Sequence, residues 1–347
     1  MSVQRPSFPE FLKTPIRDLG LHIEGTRLEP IIQEFMNELE RAQVPVRPRC
    51  YLSTEWGVPF GTISIGMPFY LARPDLTELH AERVGHIEGF NRADILRYLR
   101  HEMGHVVNYA YKLYDREEWV RLFGAISQPY LEEYRPSPFS RRYVRHLPGW
   151  YAQKHPDEDW AETFAVWMTP LAEAEANGSA RNWREEYAQW PTALAKLEYC
   201  ERTMQALRNE PRPDVTEELD EEVGQVPYSL DQFYQRQTEG QEPMPSGLAG
   251  ALRAIFEDVA PGDASAEAKL KASDLLKRME TVLLDNVFRW TGHFPEKTRV
   301  LVRHLEQLAD QLGQVYAPEY EQRAMVALTT LVTALAMNHV HTGTYLA

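Results

Sequence analysis

Residues 101–105 read His101-Glu102-Met103-Gly104-His105, and the interpretation of the whole chain starts from this run. On an α-helix, at about 100° per residue, the two histidines lie about 40° apart around the axis and one turn apart along it. Both imidazoles can therefore reach one point, and neutral imidazoles are donors that suit zinc. Glu102 follows the first histidine, where it can reach a water held at that point. The run predicts a metal site if it is helical and a third ligand lies downstream.

The sequence around this run has a helical period. Apolar residues recur every three or four positions from Ile95 to Ala110, and Asn91 begins a polar stretch that can cap a helix. We therefore expect a helix over 94–114. Gly104 in its interior costs about 1 kcal/mol relative to Ala, but a small residue there lets another segment approach closely. The alternative is a surface helix in which the His-Glu-x-x-His pattern occurs by chance.

A second segment, residues 149–165, offers the missing ligand. Pro156 suits the first position of a helix, and acidic residues follow in its first turn. Glu158 and Glu162 are four positions apart on one face, so one carboxylate can bind a metal while the other accepts a hydrogen bond from a ligand imidazole. Tyr151 precedes Glu158 by seven residues, and its hydroxyl could point at the same site.

The residues of this segment leave the choice of ligand open. Asp157, Asp159 and Glu162 compete with Glu158 for the metal. The segment also has a simpler interpretation, as an acidic helix start beside a tryptophan-rich core. A pair of histidines upstream in the same domain favours the metal site over that interpretation.

The remaining elements of the first 208 residues predict a mixed α+β fold. Apolar spacing indicates a helix over Leu28–Arg41, and Cys50–Leu52 and Thr62–Ile65 read as short strands. Prolines flank the second strand, as is typical of an edge strand, and such an edge can pair with an extended peptide. Residues 128–149 indicate a long loop. Residues 183–208 read as one or two helices that close this domain.

The composition changes after residue 208. Prolines, glycines and an acidic run predict a linker over residues 209–247. Residues 248–347 read as a separate, mostly α-helical domain, with helical periodicity over 248–259, 264–290, 295–316 and 318–337. That domain could cover a cleft, bind a protein partner or dimerise.

The whole-chain composition narrows the class of protein. The 347 residues carry a net charge of −14, which argues against nucleic acid and anionic membrane as partners. No apolar run approaches the roughly 18 residues of a membrane span, and the first ten residues hold no apolar stretch typical of a secretion signal. A cytoplasmic location is therefore expected. Cys50 and Cys200 are the only cysteines, and reduced thiols are the expectation for both.

The two motifs together resemble a known family. A His-Glu-Met-Gly-His run followed by a Y-x6-E-x-x-A-E-x-F arrangement is similar to gluzincin-type zinc metallopeptidases. The sequence HPDEDWAETFA, which contains most of the second motif, resembles most of all that of the bacterial putative zinc-binding metallopeptidases. A more distant similarity extends to the catalytic domains of anthrax lethal factor and Mlc titration factor A. The resemblance covers roughly residues 40–200 and implies a zincin-like domain.

The resemblance also implies roles for the residues of the first motif. It makes His101 and His105 the first two zinc ligands and Glu102 the general base that activates water. Some members of the group carry an additional cysteine-rich zinc ribbon at the N-terminus. This chain has no such cysteines, so we expect a single Zn²⁺.

For the second motif, the family spacing favours Glu158 as the third ligand. With that choice, Glu162 becomes the residue that hydrogen-bonds a ligand from behind, and Tyr151 becomes the stabiliser of the transition state. With Glu162 as the ligand instead, the tyrosine would fall at the wrong offset.

The resemblance therefore predicts a zinc-dependent hydrolase that cleaves peptide bonds in a peptide or protein substrate. The competing hypothesis is a regulatory or partner-binding module whose zinc is structural or vestigial, with residues 248–347 carrying the main function. A further alternative is a latent protease in which residues 209–247 occupy the cleft.

Overall fold

The computed structural model divides the chain into two compact units, Met1–Glu239 and Gly240–Ala347. Both units mix helices with a small sheet, as expected for an α+β protein. The residues that the structure describes are 11–84, 87–130, 134, 136–137, 139–173, 182–211, 215–238, 244, 247–258 and 269–345, without the side chains of 170–173 and 296.

Eight α-helices are described in the first unit. In chain order they are α1 (Leu28–Arg41), α2 (Pro74–Val84), α3 (Arg92–Ala110), α4 (Glu117–Phe123), α5 (Pro156–Glu173), α6 (Trp183–Glu186), α7 (Pro191–Leu207) and α8 (Leu230–Thr238). The α1 helix has the predicted bounds. The α3 helix contains the His-Glu-x-x-His run but ends at Ala110 rather than at residue 114. Its start is capped as expected, because the Asn91 side chain accepts a hydrogen bond from the Asp94 backbone N–H.

The α3 and α5 helices pack against each other at Gly104. A Cβ at that position would lie 2.6 Å from the backbone Cα of Ala161 in α5, which is closer than real Cβ atoms come. The Trp160 indole N–H also donates a hydrogen bond of 2.8 Å to the Gly104 carbonyl oxygen. The expectation that a small residue here admits another segment is confirmed. The α3 helix is buried on all sides from residue 98 onward, rather than along a single stripe.

A parallel pair of strands, β1 (Arg49–Ser53) and β2 (Ser64–Pro68), lies in the same unit. The second strand was expected over Thr62–Ile65 as an edge strand, but β2 covers Ser64–Pro68 and all five of its residues are buried. Its flanks are also occupied: Gly66 exchanges backbone hydrogen bonds with Gly57, and the Ile63 N–H donates to the Thr216 carbonyl oxygen. These contacts use backbone groups that a free edge would offer to a peptide.

The stretch expected as a linker packs into the first unit as far as residue 238. The Tyr51 hydroxyl of β1 donates to the Asp220 carbonyl oxygen at 2.9 Å, so the acidic run lies against the sheet. The following apolar residues join the hydrophobic core, and they are Val223, Val226, Leu230, Phe233 and Tyr234. The expected boundary after residue 208 is therefore corrected, because these side chains are buried and the α8 helix belongs to the first unit.

The second unit is mostly helical, with a small sheet that the sequence did not indicate. Its helices are α9 (Leu248–Arg253), α10 (Ala272–Thr291), α11 (Pro295–Gln311) and α12 (Glu321–Thr342). A short strand β5 (Gln314–Tyr316) pairs antiparallel with both β3 (Glu257–Asp258) and β4 (Leu270–Lys271). The helical ranges expected over 248–259 and 295–316 are thus too long, because Glu257–Asp258 and Gln314–Tyr316 are strands.

One described stretch, Pro318–Thr342, is long and apolar enough to cross a membrane by length and composition. Its most apolar window of 18 residues has a mean hydropathy of 1.3, and 28% of that window is buried. The expectation that no stretch approaches this length is corrected. Length and composition alone are weak support for a membrane span, since core helices of other proteins share both.

Candidate metal centre

Three buried side chains from two helices converge on one point. His101 and His105 come from the α3 helix and Glu158 from the first turn of the α5 helix, and their donor atoms lie within 4.8 Å of one another. Glu158 Oε2 lies 3.0 Å from His101 Nε2 and 3.3 Å from His105 Nε2. The two Nε2 atoms are 3.3 Å apart. Helical spacing of four residues and the crossing at Gly104 produce this convergence.

The geometry fits a tetrahedral metal ion. Ligand atoms bound to zinc at 2.0–2.1 Å lie about 3.3 Å from each other, and the three separations are close to that value. Burial lowers the pKa of His101, but Glu158 and Glu162 outweigh it and raise that pKa to about 9. An excess of negative charge therefore surrounds the imidazoles, which suits a divalent cation.

Glu162 lies behind His101 rather than in the cluster. Its Oε1 is 2.9 Å from His101 Nδ1, the ring nitrogen that points away from Glu158. The backbone N–H groups of His146 and Leu147 donate to the same carboxylate at 2.9–3.1 Å, and the side chain is fully buried. The structure thus places Glu162 where it orients an imidazole, and outside the three donors.

Asp157 has the matching position behind His105. Its Oδ2 lies 3.0 Å from His105 Nδ1. Asn108 donates to this carboxylate at 2.6 Å and the Tyr109 hydroxyl at 2.5 Å, both from the α3 helix. The sequence offered Asp157 only as a rival ligand. Asn108 and Tyr109, one turn after His105, could have indicated this role, because their polar side chains need a buried acceptor.

The other rival ligand, Asp159, points away from the cluster. It forms a buried ion pair with Lys196 of the α7 helix at 2.5 Å. Burial raises the pKa of this carboxyl to about 7, although Lys196 opposes the shift. Asp159 thus joins two helices of the core and is not a donor to the metal centre.

Glu102 is buried beside the two histidines. Burial raises the pKa of its carboxyl, and the negative charges of Glu158 and Asp157 act in the same direction, against the histidines. A raised pKa makes a carboxylate a better acceptor of a proton from water.

Two tyrosines border the cluster, one of which the sequence did not reveal. The Tyr151 ring lies 5.5 Å from the His101 ring. The Tyr130 hydroxyl donates a hydrogen bond of 2.6 Å to Glu158 Oε1, which is not the oxygen that lies near the histidines. The same hydroxyl lies 3.3 Å from the Tyr151 hydroxyl. Tyr130 stands in the long loop before the second motif, where no periodicity indicates which way a side chain points.

Comparison with known proteins supports the metal centre through one family. No curated protein and no solved structure matches the chain, so the distant similarities to anthrax lethal factor and Mlc titration factor A stay predictions. A family model described as "putative zinc-binding metallo-peptidase" matches residues 77–207. That range contains both helices of the centre and all of the side chains described around it. Over residues 77–207, which are less than half of the chain, this protein is therefore similar to the family of putative zinc-binding metallo-peptidases.

Proposed function

We propose that the chain is a zinc-dependent peptidase with a zincin-like catalytic domain, in which His101, His105 and Glu158 hold one zinc ion. The convergence of these three donors from the α3 and α5 helices carries the proposal. The family description supports the same metal and the same reaction class. The substrate is accordingly a peptide or protein.

The residues around the donors have distinct roles in this reaction. Zinc held by His101, His105 and Glu158 would supply Lewis acidity to a water and to a carbonyl group. Glu102 accepts the proton of the attacking water and delivers it to the leaving amine. Tyr151 donates a hydrogen bond to the oxygen that becomes negative, a contribution of about 2.7–4 kcal/mol for a typical donor of this kind. Glu162 and Asp157 hold the two imidazoles in orientation.

The decisive experiment separates metal binding from turnover. We expect the zinc-loaded protein to cleave members of a peptide library, read by mass spectrometry. Glu102→Gln removes the proton acceptor but no ligand, so zinc content by elemental analysis stays at the wild-type level while cleavage is lost. His101→Ala should lose the metal itself.

Glu40→Gln is a matched control, because Glu40 is exposed at the end of the α1 helix. This variant should keep both zinc and cleavage. Cleavage that survives in Glu102→Gln would contradict the mechanism. Full zinc occupancy with no cleavage across the library would instead favour a regulatory or partner-binding module.

A further inference from the structure

The ammonium group of Lys154 lies over the rings of Tyr130 and Tyr151, the two tyrosines beside the metal centre. The ammonium nitrogen of Lys154 is 4.3 Å from the centroid of the Tyr130 ring and 5.2 Å from that of Tyr151. The Tyr130 hydroxyl in turn donates to Glu158, so this cation is one side chain away from the metal donors. Lys154 is partly exposed, and no described carboxylate lies within ion-pair distance of its ammonium group.

The segment that carries Lys154 has a charge opposite to that of the whole chain. Residues 134–156 contain five basic residues and no Asp or Glu, whereas the chain has a net charge of −14. Three of those residues, Arg141, Arg142 and Arg145, are exposed. The same segment donates the backbone N–H groups of His146 and Leu147 to Glu162. A basic surface therefore borders the metal centre of an acidic protein.

The position of this cation has a consequence for the substrate. Glu102, Asp157 and Glu158 are buried carboxylates at the centre, and they repel an anionic group that approaches it. An ammonium group over Tyr130 and Tyr151 offsets that repulsion and offers three hydrogen-bond donors to a carboxylate. Tyrosine faces hold the ammonium in place without neutralising its charge.

We propose that Lys154 binds a carboxylate of the substrate next to the scissile bond, so that the enzyme prefers peptides with an acidic group there. This inference rests on the proposed peptidase function. The carboxylate has two sources in a peptide: an Asp or Glu side chain, or the free C-terminus. Lys154 acts on substrate selection and takes no part in the proton transfers.

The test uses peptides that the zinc-loaded protein cleaves, resynthesised in matched pairs. One pair carries Glu or Gln beside the scissile bond with both ends blocked. The other pair has a neutral sequence with either a free or an amidated C-terminus. We expect about a tenfold higher kcat/KM for the acidic member of one pair, expressed mainly in KM, because the contact exists in the ground state and in the transition state alike. The pair that shows the preference identifies the source of the carboxylate.

Three variants separate selection from structural support. Lys154→Met keeps the length of the side chain and should remove the preference, while Lys154→Arg keeps the charge and should retain most of it. Lys13→Met makes the same charge change at an exposed position far from the second motif in sequence, and should keep the preference. Added salt should weaken the preference as it screens the charge.

Two outcomes would overturn the inference. Equal kcat/KM within both wild-type pairs is one, and an equal loss on both members of a pair in Lys154→Met is the other, since mere support of the tyrosines affects acidic and neutral peptides alike. Failure of the proposed function looks different, because no peptide would then be cleaved in a Glu102-dependent manner.

Discussion

At the scale of single residues, the site has two similar halves, with a hydrogen bond to the histidine in the first and only a close approach to the histidine in the second. Each ligand histidine has a carboxylate behind its outer nitrogen, Glu162 for His101 and Asp157 for His105. The position of Glu162 follows from its spacing of four residues from Glu158. The position of Asp157 does not, because neighbouring residues on a helix point about 100° apart and only the packing of α3 shows what each one meets. Tyr130 was missed for a similar reason, since a loop has no period.

Asp157→Asn tests the contact between Asp157 and His105, which the sequence did not indicate. The change keeps the size of the side chain but removes the negative charge beside His105 Nδ1. We expect zinc affinity to fall by about 10–100-fold, as is typical when the partner behind a ligand is lost. Competition against a chromophoric chelator measures it.

Asp231→Asn is the matched control, because Asp231 also lies in the first turn of a helix, α8, but away from the metal donors. It should leave the zinc affinity unchanged. An Asp157→Asn protein with wild-type affinity would mean that Asp157 does not orient His105.

At the scale of elements, the helices were predictable and the pairing of strands was not. Periodicity and capping residues act within a few positions, so they showed the α1 bounds and the Asn91 cap of α3, although α3 begins at Arg92 rather than at residue 94. The backbone partner of Ile63 is Thr216, more than 150 residues later, and no local pattern connects them. The short β5 strand was read as the end of a helix because three residues are too few to show a period of two.

Gly104→Ala tests the crossing of the α3 and α5 helices. The added methyl group would meet backbone atoms of Ala161 at 2.6 Å, and backbone cannot rotate away. We expect a loss of about 1–3 kcal/mol in the free energy of unfolding, together with weaker zinc binding as the helices separate. Urea unfolding followed by tryptophan fluorescence reports on the first unit, which holds every tryptophan except Trp290.

Gly57→Ala is the control for this change, because a Cβ at Gly57 has no neighbour within 4 Å. Its stability should stay within about 0.5 kcal/mol of the wild type. Equal stability of the two variants would show that the crossing tolerates a larger residue.

At the scale of the whole molecule, composition indicated two parts but misplaced the boundary. Prolines and acids between 209 and 222 are typical of a linker. The hydrogen bonds of the Asp220 backbone to the distant β1 strand cannot be read from such a local pattern. Apolar residues after 222 are part of the core, although they lie in the stretch that was predicted as a linker. The role of the second unit stays a prediction, since its helices show periodicity without a motif.

The second unit contains a buried histidine that predicts a pH dependence. His293 lies 2.7 Å from the Thr298 hydroxyl and 2.9 Å from that of Tyr345. Burial, with the nearby charges of His339 and Lys297, lowers its pKa from 6.5 to about 3. Between those two pH values the unfolded chain binds a proton that the folded chain does not. The free energy of unfolding should therefore fall as the pH drops below about 6.5, by at most about 1.4 kcal/mol per pH unit.

Urea unfolding by circular dichroism, repeated from pH 7 to pH 4, measures this dependence. His293→Gln keeps groups that can hydrogen-bond Thr298 and Tyr345 but does not titrate, so its stability should depend less on pH than that of the wild type. The same slope in both proteins would contradict the assignment.

The donors of the metal centre come from two helices, and this has a thermodynamic consequence. Between the end of α3 at Ala110 and the start of α5 at Pro156 the chain runs through the whole long loop. A metal held by both helices joins the two ends of that segment. Because it binds only when the helices are in place, metal binding raises the free energy needed to open this part of the fold. At a free zinc concentration of 100 times Kd, the increase amounts to about 2.7 kcal/mol. Metal supply would thus set how long the first unit survives proteases, as well as whether it can act on a peptide.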